Sequence, residues 1–257
     1  MATQTVCAKC GGTGWIIVER AHASGAEPCD CRATGRAGRL EDRAQIPPLY
    51  QNASLESFSV PGPEHPIARR ELTSVLLAVK NFVRDFPDAT RPGLLLIGSP
   101  GTGKTHLAVA ALRAVISKGF EGTFCDYQNL LDRIRSGYDP NSNSSDKEAY
   151  RSALDAEVLL LDDLGAHRVT DWVEDTITSI VTHRCNHRRA LIATTNLPDG
   201  EAGMASMKRS ASGMVEYAPA TLAERVGPRA RSRLFEMCTV IKMPIVDDYR
   251  IRKGRTF

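Results

Sequence analysis

The chain has 257 residues, of which 42% are hydrophobic and 25% are charged, and its formal net charge is +3. This is the composition of an ordinary globular protein, and the length suffices for one large core or for a core with a small appendage. No apolar run approaches the length of a membrane span, and the first residues lack the apolar stretch of a signal peptide. We therefore expect a cytoplasmic protein with no membrane partner.

The first 31 residues hold four of the seven cysteines, with the spacings Cys7-x₂-Cys10 and Cys29-x-Cys31. Because the cytoplasm keeps thiols reduced, four clustered cysteines favour a tetrahedral Zn²⁺ site over disulfides. The first pair has the usual zinc spacing, and the second is tighter. Two alternatives stay open: the thiols are free or redox-sensing, or His22 takes the place of one ligand. The remaining cysteines are predicted to be small core residues: Cys125, Cys185 and Cys238.

Prolines separate this cysteine segment from the rest of the chain. Pro47, Pro48, Pro61, Pro63 and Pro66 all lie within residues 32–66 and prevent a continuous helix there. We therefore predict a linker over residues 32–66. The predicted division is a zinc-binding module with the start of the linker at residues 1–45, a linker strap at 46–66 and the main domain at 67–257.

The main domain opens with an amphipathic helix over residues 67–86, predicted from apolar residues three and four positions apart. An apolar strand at 94–97 then leads into the pattern G-x-x-x-x-G-K-[ST] at 98–105, and a helical pattern follows over 105–116. Strand, glycine loop and helix in this order are the context of a phosphate-binding loop. Its backbone N–H groups and the helix N-terminus attract phosphate, Lys104 can reach the β- and γ-phosphates, and the Thr105 hydroxyl can bind Mg²⁺. The predicted nucleotide-binding residues of this stretch are Gly98, Ser99, Pro100, Gly101, Thr102, Gly103, Lys104, Thr105 and His106.

A second motif, which is acidic, lies further along the chain. After a predicted strand at 122–127, a helix at 129–135 and a polar loop at 138–146, an apolar strand ends in Asp162 and Asp163. Beside a phosphate loop, Asp162 would hold Mg²⁺ and Asp163 would orient or deprotonate the attacking water. Taken alone, two aspartates after a strand are as consistent with a helix cap or a turn, so the upstream loop is what favours the catalytic interpretation.

The C-terminal part continues the alternation of helices and strands. Residues 172–185 form a predicted helix whose basic end, which includes Arg184, is expected to be solvated or to contact another subunit. The next strand ends in Thr194, Thr195 and Asn196, and we predict that Asn196 lies near the γ-phosphate. Residues 199–221 show no period and predict a flexible excursion, and a last strand is predicted at 240–243. Three arginines lie close together between them: Arg229, Arg231 and Arg233.

Together these motifs resemble the AAA+ ATPases of the bacterial helicase-loader family, the DnaC and DnaI type, with the related IstB transposition ATPases. The motifs are residues 98–105, Asp162-Asp163-Leu164-Gly165, Thr194-Thr195-Asn196 and Arg229-x₃-Arg233-Leu234. The resemblance covers residues 46–257, and the cysteine segment resembles the zinc-bearing N-terminal regions of some loaders. It implies an α/β AAA+ core, a parallel sheet flanked by helices, with ATP and Mg²⁺ held by residues 98–105, Asp162 and Asp163, and with Asn196 as the first sensor.

The resemblance also implies roles that depend on other molecules. Arg233 would be the arginine finger that reaches the ATP of a neighbouring subunit, with Arg229 and Arg231 as alternatives, and Arg250 would be a second sensor. Residues 127–138 fall where such ATPases carry a helix that contacts single-stranded DNA. We therefore expect an ATPase that self-associates and loads a replicative DNA helicase onto single-stranded DNA, with slow hydrolysis because its acidic motif ends in Asp-Asp. The alternatives are an ATP-dependent regulator of transposition that recruits a transposase, and a binding module in which ATP acts only as a switch.

Overall fold

The computed structural model describes residues 7–11, 13–20, 23–138, 144–200, 208–209, 215–216, 220–246 and 248–249. The predicted second sensor Arg250, the alternative ligand His22 and most of the excursion at 199–221 lie outside these residues. Helices and strands alternate along most of the described chain. In chain order they are β1 Trp15–Arg20, β2 Ala23–Pro28, α1 Asp30–Arg43, α2 Pro66–Asp85, β3 Gly93–Ile97, α3 Lys104–Ser117, β4 Gly122–Asp126, α4 Tyr127–Ser136, α5 Ser144–Asp155, β5 Val158–Asp162, α6 Asp171–Asn186, β6 Ala190–Thr195, β7 Lys208–Arg209, β8 Val215–Glu216, α7 Leu222–Val226, α8 Pro228–Met237 and β9 Cys238–Lys242.

The main sheet has five parallel strands in the order β4-β5-β6-β3-β9. Its three central strands are continuous apolar runs and are buried along their whole length, as expected where helices cover both faces of a parallel sheet. Because side chains alternate along a strand, Leu94 and Leu96 point into one core and Leu95 and Ile97 into the other. The predicted parallel α/β architecture is confirmed.

Helices cover the two faces of this sheet in separate groups. On one face, α2 and α3 form the first core with residues of the strap that precedes α2. On the other face, α4 to α8 form the second core. The carboxyl ends of the parallel strands all meet at one edge of the sheet, which is where ligands bind in open α/β folds. In the described part of the chain, no helix is both long and apolar enough to cross a membrane.

The linker prediction is wrong for its first third, because α1 occupies residues that were expected to be irregular. The prolines on which that prediction was based begin only at Pro47, so nothing prevents a helix before them. Helix α1 is also fastened to the main domain, since Arg113 of α3 donates to Glu41 over 2.5 Å and the Phe124 N–H donates to the Ala44 carbonyl over 2.7 Å. The predicted division at residues 45 and 66 stays a prediction.

The basic end of α6 is a second difference from expectation, because Arg184 is fully buried. Its guanidinium donates to the carbonyls of Ala153, Leu154, Glu157 and Ala190. The first two belong to the last turn of α5, where backbone carbonyls lack partners within the helix. Arg184 therefore closes the end of α5, and it ties that end to the starts of β5 and β6.

Helix α5 and the three single cysteines show two smaller differences from the sequence predictions. Helix α5 begins at Ser144, inside the stretch that was predicted to be a polar loop. Of the three single cysteines, Cys238 is fully buried, whereas Cys125 and Cys185 are half-buried. Burial raises the pKa of the Cys125 thiol to about 11, so this thiol stays protonated and behaves as a small apolar group.

Candidate functional site

The glycine loop lies between the end of β3 and the start of α3, with Lys104 as the first helical residue. Gly101 and Gly103 have φ angles of 76° and 90°, which L side chains rarely adopt. A side chain at Gly103 would also meet the ring of Phe58 at 2.7 Å. The loop is braced internally, because the Thr102 hydroxyl donates to the Ser99 carbonyl over 2.9 Å. The loop thus has a defined shape at the positive end of a 14-residue helix.

Three predicted site residues form one chain of hydrogen bonds. The Lys104 ammonium donates to Asn196 Oδ1 over 2.6 Å and to the Ser99 carbonyl over 2.8 Å. The Asn196 amide in turn donates to Asp163 Oδ1 over 2.9 Å. The loops after β3, β5 and β6 are thereby joined at the carboxyl edge of the sheet. The structure brings together a cation, an amide and a carboxylate that are far apart in the sequence.

Asp162 lies at the end of β5 and is only 8% exposed. The Thr194 hydroxyl donates to Asp162 Oδ1 over 2.7 Å, and the Thr105 side chain lies near this carboxylate. Burial raises the pKa of Asp162 above its ordinary value, and the two threonine hydroxyl groups oppose the rise. A buried carboxylate beside a hydroxyl is a set of hard oxygen donors, which suits Mg²⁺. Asp162 and Thr105 therefore fit the predicted metal role.

Asp163 has a φ of 55°, and its side chain turns toward Asn196 rather than following the strand. Its backbone N–H donates to the Thr194 hydroxyl over 3.0 Å, so one threonine orients both aspartates. Two residues later Gly165 has a φ of 86°, and a side chain there would collide with Leu197. This turn aims Asp163 at the open edge of the sheet. Strained backbone of this kind concentrates at functional sites.

Two distant segments border the loop. His106, in the first turn of α3, lies 3.1 Å from the Ser54 carbonyl and 3.2 Å from the Ser57 hydroxyl of the strap before α2. From the C-terminal side, the Tyr249 N–H donates to the Gly101 carbonyl over 3.1 Å. A cavity of about 80 Å³ lies between these segments, and its lining includes Phe58, Leu72, Gly103, His106, Val246 and Tyr249. It adjoins the loop and offers aromatic and apolar walls.

The three arginines of α8 have separate environments. Arg231 forms an ion pair of 2.6 Å with Asp199 and lies over the ring of Phe235. Arg233 forms an exposed pair of 2.6 Å with Glu236, and Arg229 is exposed. Among the described contacts, none joins these arginines to the glycine loop. The structure therefore does not bring the predicted arginine finger to the loop of its own chain.

The four N-terminal cysteines form a compact cluster. Their Sγ atoms all lie within 4.8 Å of one another, with 3.8 Å between Cys7 and Cys29 and 3.3 Å between Cys10 and Cys31. In a tetrahedral site with Zn–S bonds of about 2.3 Å, sulfur atoms are separated by about 3.8 Å. Hydrogen bonds with the neighbouring thiols raise the pKa of Cys31 to about 12, and a bound cation would have the opposite effect. The four thiols fit Zn²⁺.

Two residues at the carboxyl edge of the main sheet received no role in the sequence analysis. Thr194 orients both aspartates, and its position at the end of a buried strand was the available signal. Asp126 ends β4, and it is the register partner of Asp162. A partner across two strands cannot be read from spacing along the chain.

Comparisons with known proteins add to this geometry. A model of the family described as IstB-like ATP binding protein matches residues 49–206. The replicative helicase loader DnaC of Buchnera aphidicola subsp. Baizongia pistaciae is 25% identical over 159 residues, which are 62% of this chain and 61% of that protein. The replicative helicase loader DnaC of Escherichia coli strain K12 is 24% identical over 158 residues, with the same two shares of 62% and 61%. The chain thus spans less than two thirds of the length of these relatives.

Solved structures lead in the same direction. A crystal structure of the DnaC helicase loader is 32% identical, has a TM-score of 0.59, and corresponds to 77% of this chain and 100% of that one. A crystal structure of DnaI is 20% identical with a TM-score of 0.57, and corresponds to 82% of this chain and 99% of that one. At that identity the second likeness supports the fold alone. The predicted resemblance to the AAA+ helicase-loader family is confirmed.

Proposed function

The chain belongs to the IstB-like ATP-binding protein family, and from this premise we propose that it is an ATPase that loads a replicative DNA helicase onto single-stranded DNA. The observation that carries the proposal is the hydrogen-bond chain from Lys104 through Asn196 to Asp163. It joins a phosphate-binding cation to a carboxylate that can accept a proton. A glycine loop that only braced the fold would not need this connection.

In this proposal, nucleotide binding is the work of the loop and its borders. The backbone N–H groups of the loop and the N-terminus of α3 hold the phosphates, and Lys104 contacts the β- and γ-phosphates. The cavity between Phe58, His106 and Tyr249 receives the base, since its aromatic walls suit the flat faces of a nucleobase. Thr105 and Asp162 would hold Mg²⁺, which neutralises charge that develops on the phosphates.

Hydrolysis is assigned to the other end of the hydrogen-bond chain. Asn196 positions a water molecule, and Asp163 accepts its proton as the water oxygen bonds to the γ-phosphorus and the bond to the β,γ-bridging oxygen breaks. The products are ADP and inorganic phosphate. Arg233 of a second copy supplies positive charge to the transferred group. The proposal includes self-association for this reason, because no described contact brings an α8 arginine to the loop of the same chain.

Partner binding is assigned to the remaining parts. Helix α4 presents Arg133 and Arg135, which suit contacts with a phosphate backbone, and Arg135 is held over the ring of Trp172. The zinc-binding module at the N-terminus docks on the helicase. Its first strand exposes Trp15 and Ile17, which are 47% and 75% exposed, on one face. The helicase-loader names of the curated relatives favour this function over a regulator of transposition.

Asp163→Asn tests the catalytic part of the proposal. The amide cannot accept a proton, so the variant should bind ATP with wild-type affinity and lose steady-state hydrolysis. Fluorescence titration with an ATP analogue measures the first property, and phosphate release measures the second. Wild-type turnover in the variant would refute the assignment of the base.

Capture by partners tests the loading function. The full-length protein with ATP should retain a purified replicative helicase on a resin, and a purified transposase should not be retained. Cys10→Ser is the variant that tests the part played by the N-terminal cysteines. It is preferable to a deletion of residues 1–45, because the deletion would also remove Glu41 and its ion pair with Arg113. Retention of the transposase alone would favour the transposition regulator.

A further inference from the structure

The chain that follows β9 runs alongside the glycine loop. We call its described residues, 243–246 and 248–249, the C-terminal segment. At its start, the Met243 N–H donates to the carbonyl of the last residue of β3 over 2.7 Å, which continues the pairing of β9 with β3. At its other end, the Tyr249 N–H donates to the Gly101 carbonyl over 3.1 Å. The segment is therefore fastened to the loop at two places.

Two glycines of the loop allow this close approach because they have no side chain. A Cβ atom at Gly98 would lie 2.6 Å from the Cβ of Met243. A Cβ atom at Gly101 would collide with the carboxylate of Asp248. The Asp248 carboxylate thus lies directly against the backbone of the loop, in the position that a side chain of Gly101 would take.

The charge of Asp248 is what gives this contact a consequence for the nucleotide. The backbone of a phosphate loop wraps around the β- and γ-phosphates, so a group packed on that backbone lies close to them. An aspartate side chain is negatively charged at neutral pH, and charges interact over about 8 Å at physiological salt. Asp248 is half-buried, so solvent screens it only in part. The positive end of α3 attracts the carboxylate, whereas a polyphosphate in the loop repels it.

We infer that Asp248 is an electrostatic gate of the nucleotide site, whose charge weakens the binding of polyphosphate and speeds the release of nucleotide. The inference rests on the proposed function and adds to it a residue that sets the rate of nucleotide exchange. In many enzymes product release limits turnover, and a loop that holds ADP too firmly would be limited in this way. A fixed negative charge beside the loop shortens the lifetime of the complex.

Asp248→Asn removes the charge and keeps the shape of the side chain. The variant should bind a fluorescent ADP analogue about fivefold to tenfold more tightly, because the repulsion is lost. Most of the gain should be a slower release rate, measured by stopped-flow chase with unlabelled ADP. Asp88→Asn is the matched control, since Asp88 is an exposed aspartate between α2 and β3, at the opposite end of β3 from the loop. Its release rate should equal that of the wild type.

Salt and heat distinguish an effect of charge from an effect of packing. The difference between Asp248→Asn and the wild type should shrink when the salt concentration rises from about 0.05 M to about 0.5 M, because salt screens the repulsion. Without nucleotide, Asp248→Asn should melt at or below the wild-type temperature, since the attraction to the loop is lost. With saturating ADP, its melting temperature should rise by more than that of the wild type. A purely structural role would lower both melting temperatures.

The outcomes separate the inference from the proposed function. Unchanged or weaker nucleotide binding in Asp248→Asn overturns the inference alone. The same holds for a gain that is equally large at high salt, or for an equal gain in Asp88→Asn. A wild-type protein that binds neither ATP nor ADP overturns the proposed function and the inference with it.

Discussion

The buried guanidinium of Arg184 makes a specific prediction about stability. Arg184→Met keeps most of the aliphatic volume but removes the charge and all donors. Four backbone carbonyls lose a charged partner, and two of them belong to the otherwise unsatisfied last turn of α5. Burial also lowers the pKa of Arg184 to about 9, which reflects the cost of removing this cation from water.

The loss of hydrogen bonds destabilises the fold, whereas the removal of a buried charge stabilises it. The first effect is the larger one. Each hydrogen bond from a charged donor contributes about 1.5–3 kcal/mol, and each buried carbonyl left without a partner costs about 1–3 kcal/mol. The variant no longer buries a charge, and the avoided desolvation cost restores several kcal/mol of stability. We expect a net loss of about 3–5 kcal/mol in the free energy of unfolding, because the four lost hydrogen bonds exceed the several kcal/mol regained from desolvation. For a chain of this size that lowers the melting temperature by about 6–20 °C.

Thermal and urea unfolding followed by circular dichroism measure this loss. Arg188→Met is the matched control, because it makes the same chemical change at an exposed position two residues after the end of the same helix. Arg184→Lys should lose most of the stability as well, since one ammonium cannot reach carbonyls arranged for a planar fork. Nucleotide affinity well below the transition should not change, because Arg184 lies at the opposite end of β5 and β6 from the loop. Equal melting temperatures for Arg184→Met and Arg188→Met would refute the reasoning.

The remaining predictions concern the metal and the shared active site. Elemental analysis of protein prepared without chelator should find one Zn²⁺ per chain, and Cys10→Ser should lose it; a wild-type preparation without zinc would contradict the cluster assignment. Lys104→Ala should weaken ATP binding about tenfold or more in calorimetry, because a charged contact to phosphate is lost. Arg233→Ala should bind ATP normally without hydrolysing it, and mixing it with Lys104→Ala should restore part of the hydrolysis. Specific activity that stays flat on dilution, with no rescue on mixing, would argue against a site shared between subunits.

Much of the site could be predicted from the sequence because its signals are local. The glycine loop and the Asp162-Asp163 pair each follow a buried strand directly, and parallel strands bring such ends to one edge. Arg184 could not be placed in the same way, because helical periodicity gives the face of a residue but not whether its side chain turns back into the core. The pairing of Asp126 with Asp162 depends on strand order and register, which link residues 36 positions apart.

Helix α1 illustrates a different limit. Proline positions mark where a helix cannot continue, but they say nothing of the residues before them. What holds α1 in place is tertiary: its Glu41 pairs with Arg113, and the carbonyl of Ala44 accepts from the edge strand β4. Such contacts join segments that are more than 70 residues apart, so no local pattern announces them.

The orientation of Asn196 has a consequence for the order of events in a turnover. Its oxygen faces the Lys104 ammonium and its nitrogen faces the Asp163 carboxylate, so charge on both sides forbids a flip of the amide. When Lys104 turns to phosphate, the amide oxygen loses its donor but keeps its direction. It then becomes a vacant acceptor for an O–H group, at the moment when the loop is filled. In the proposed mechanism, the arrival of the substrate would therefore release one lone pair of this oxygen for the reactive water.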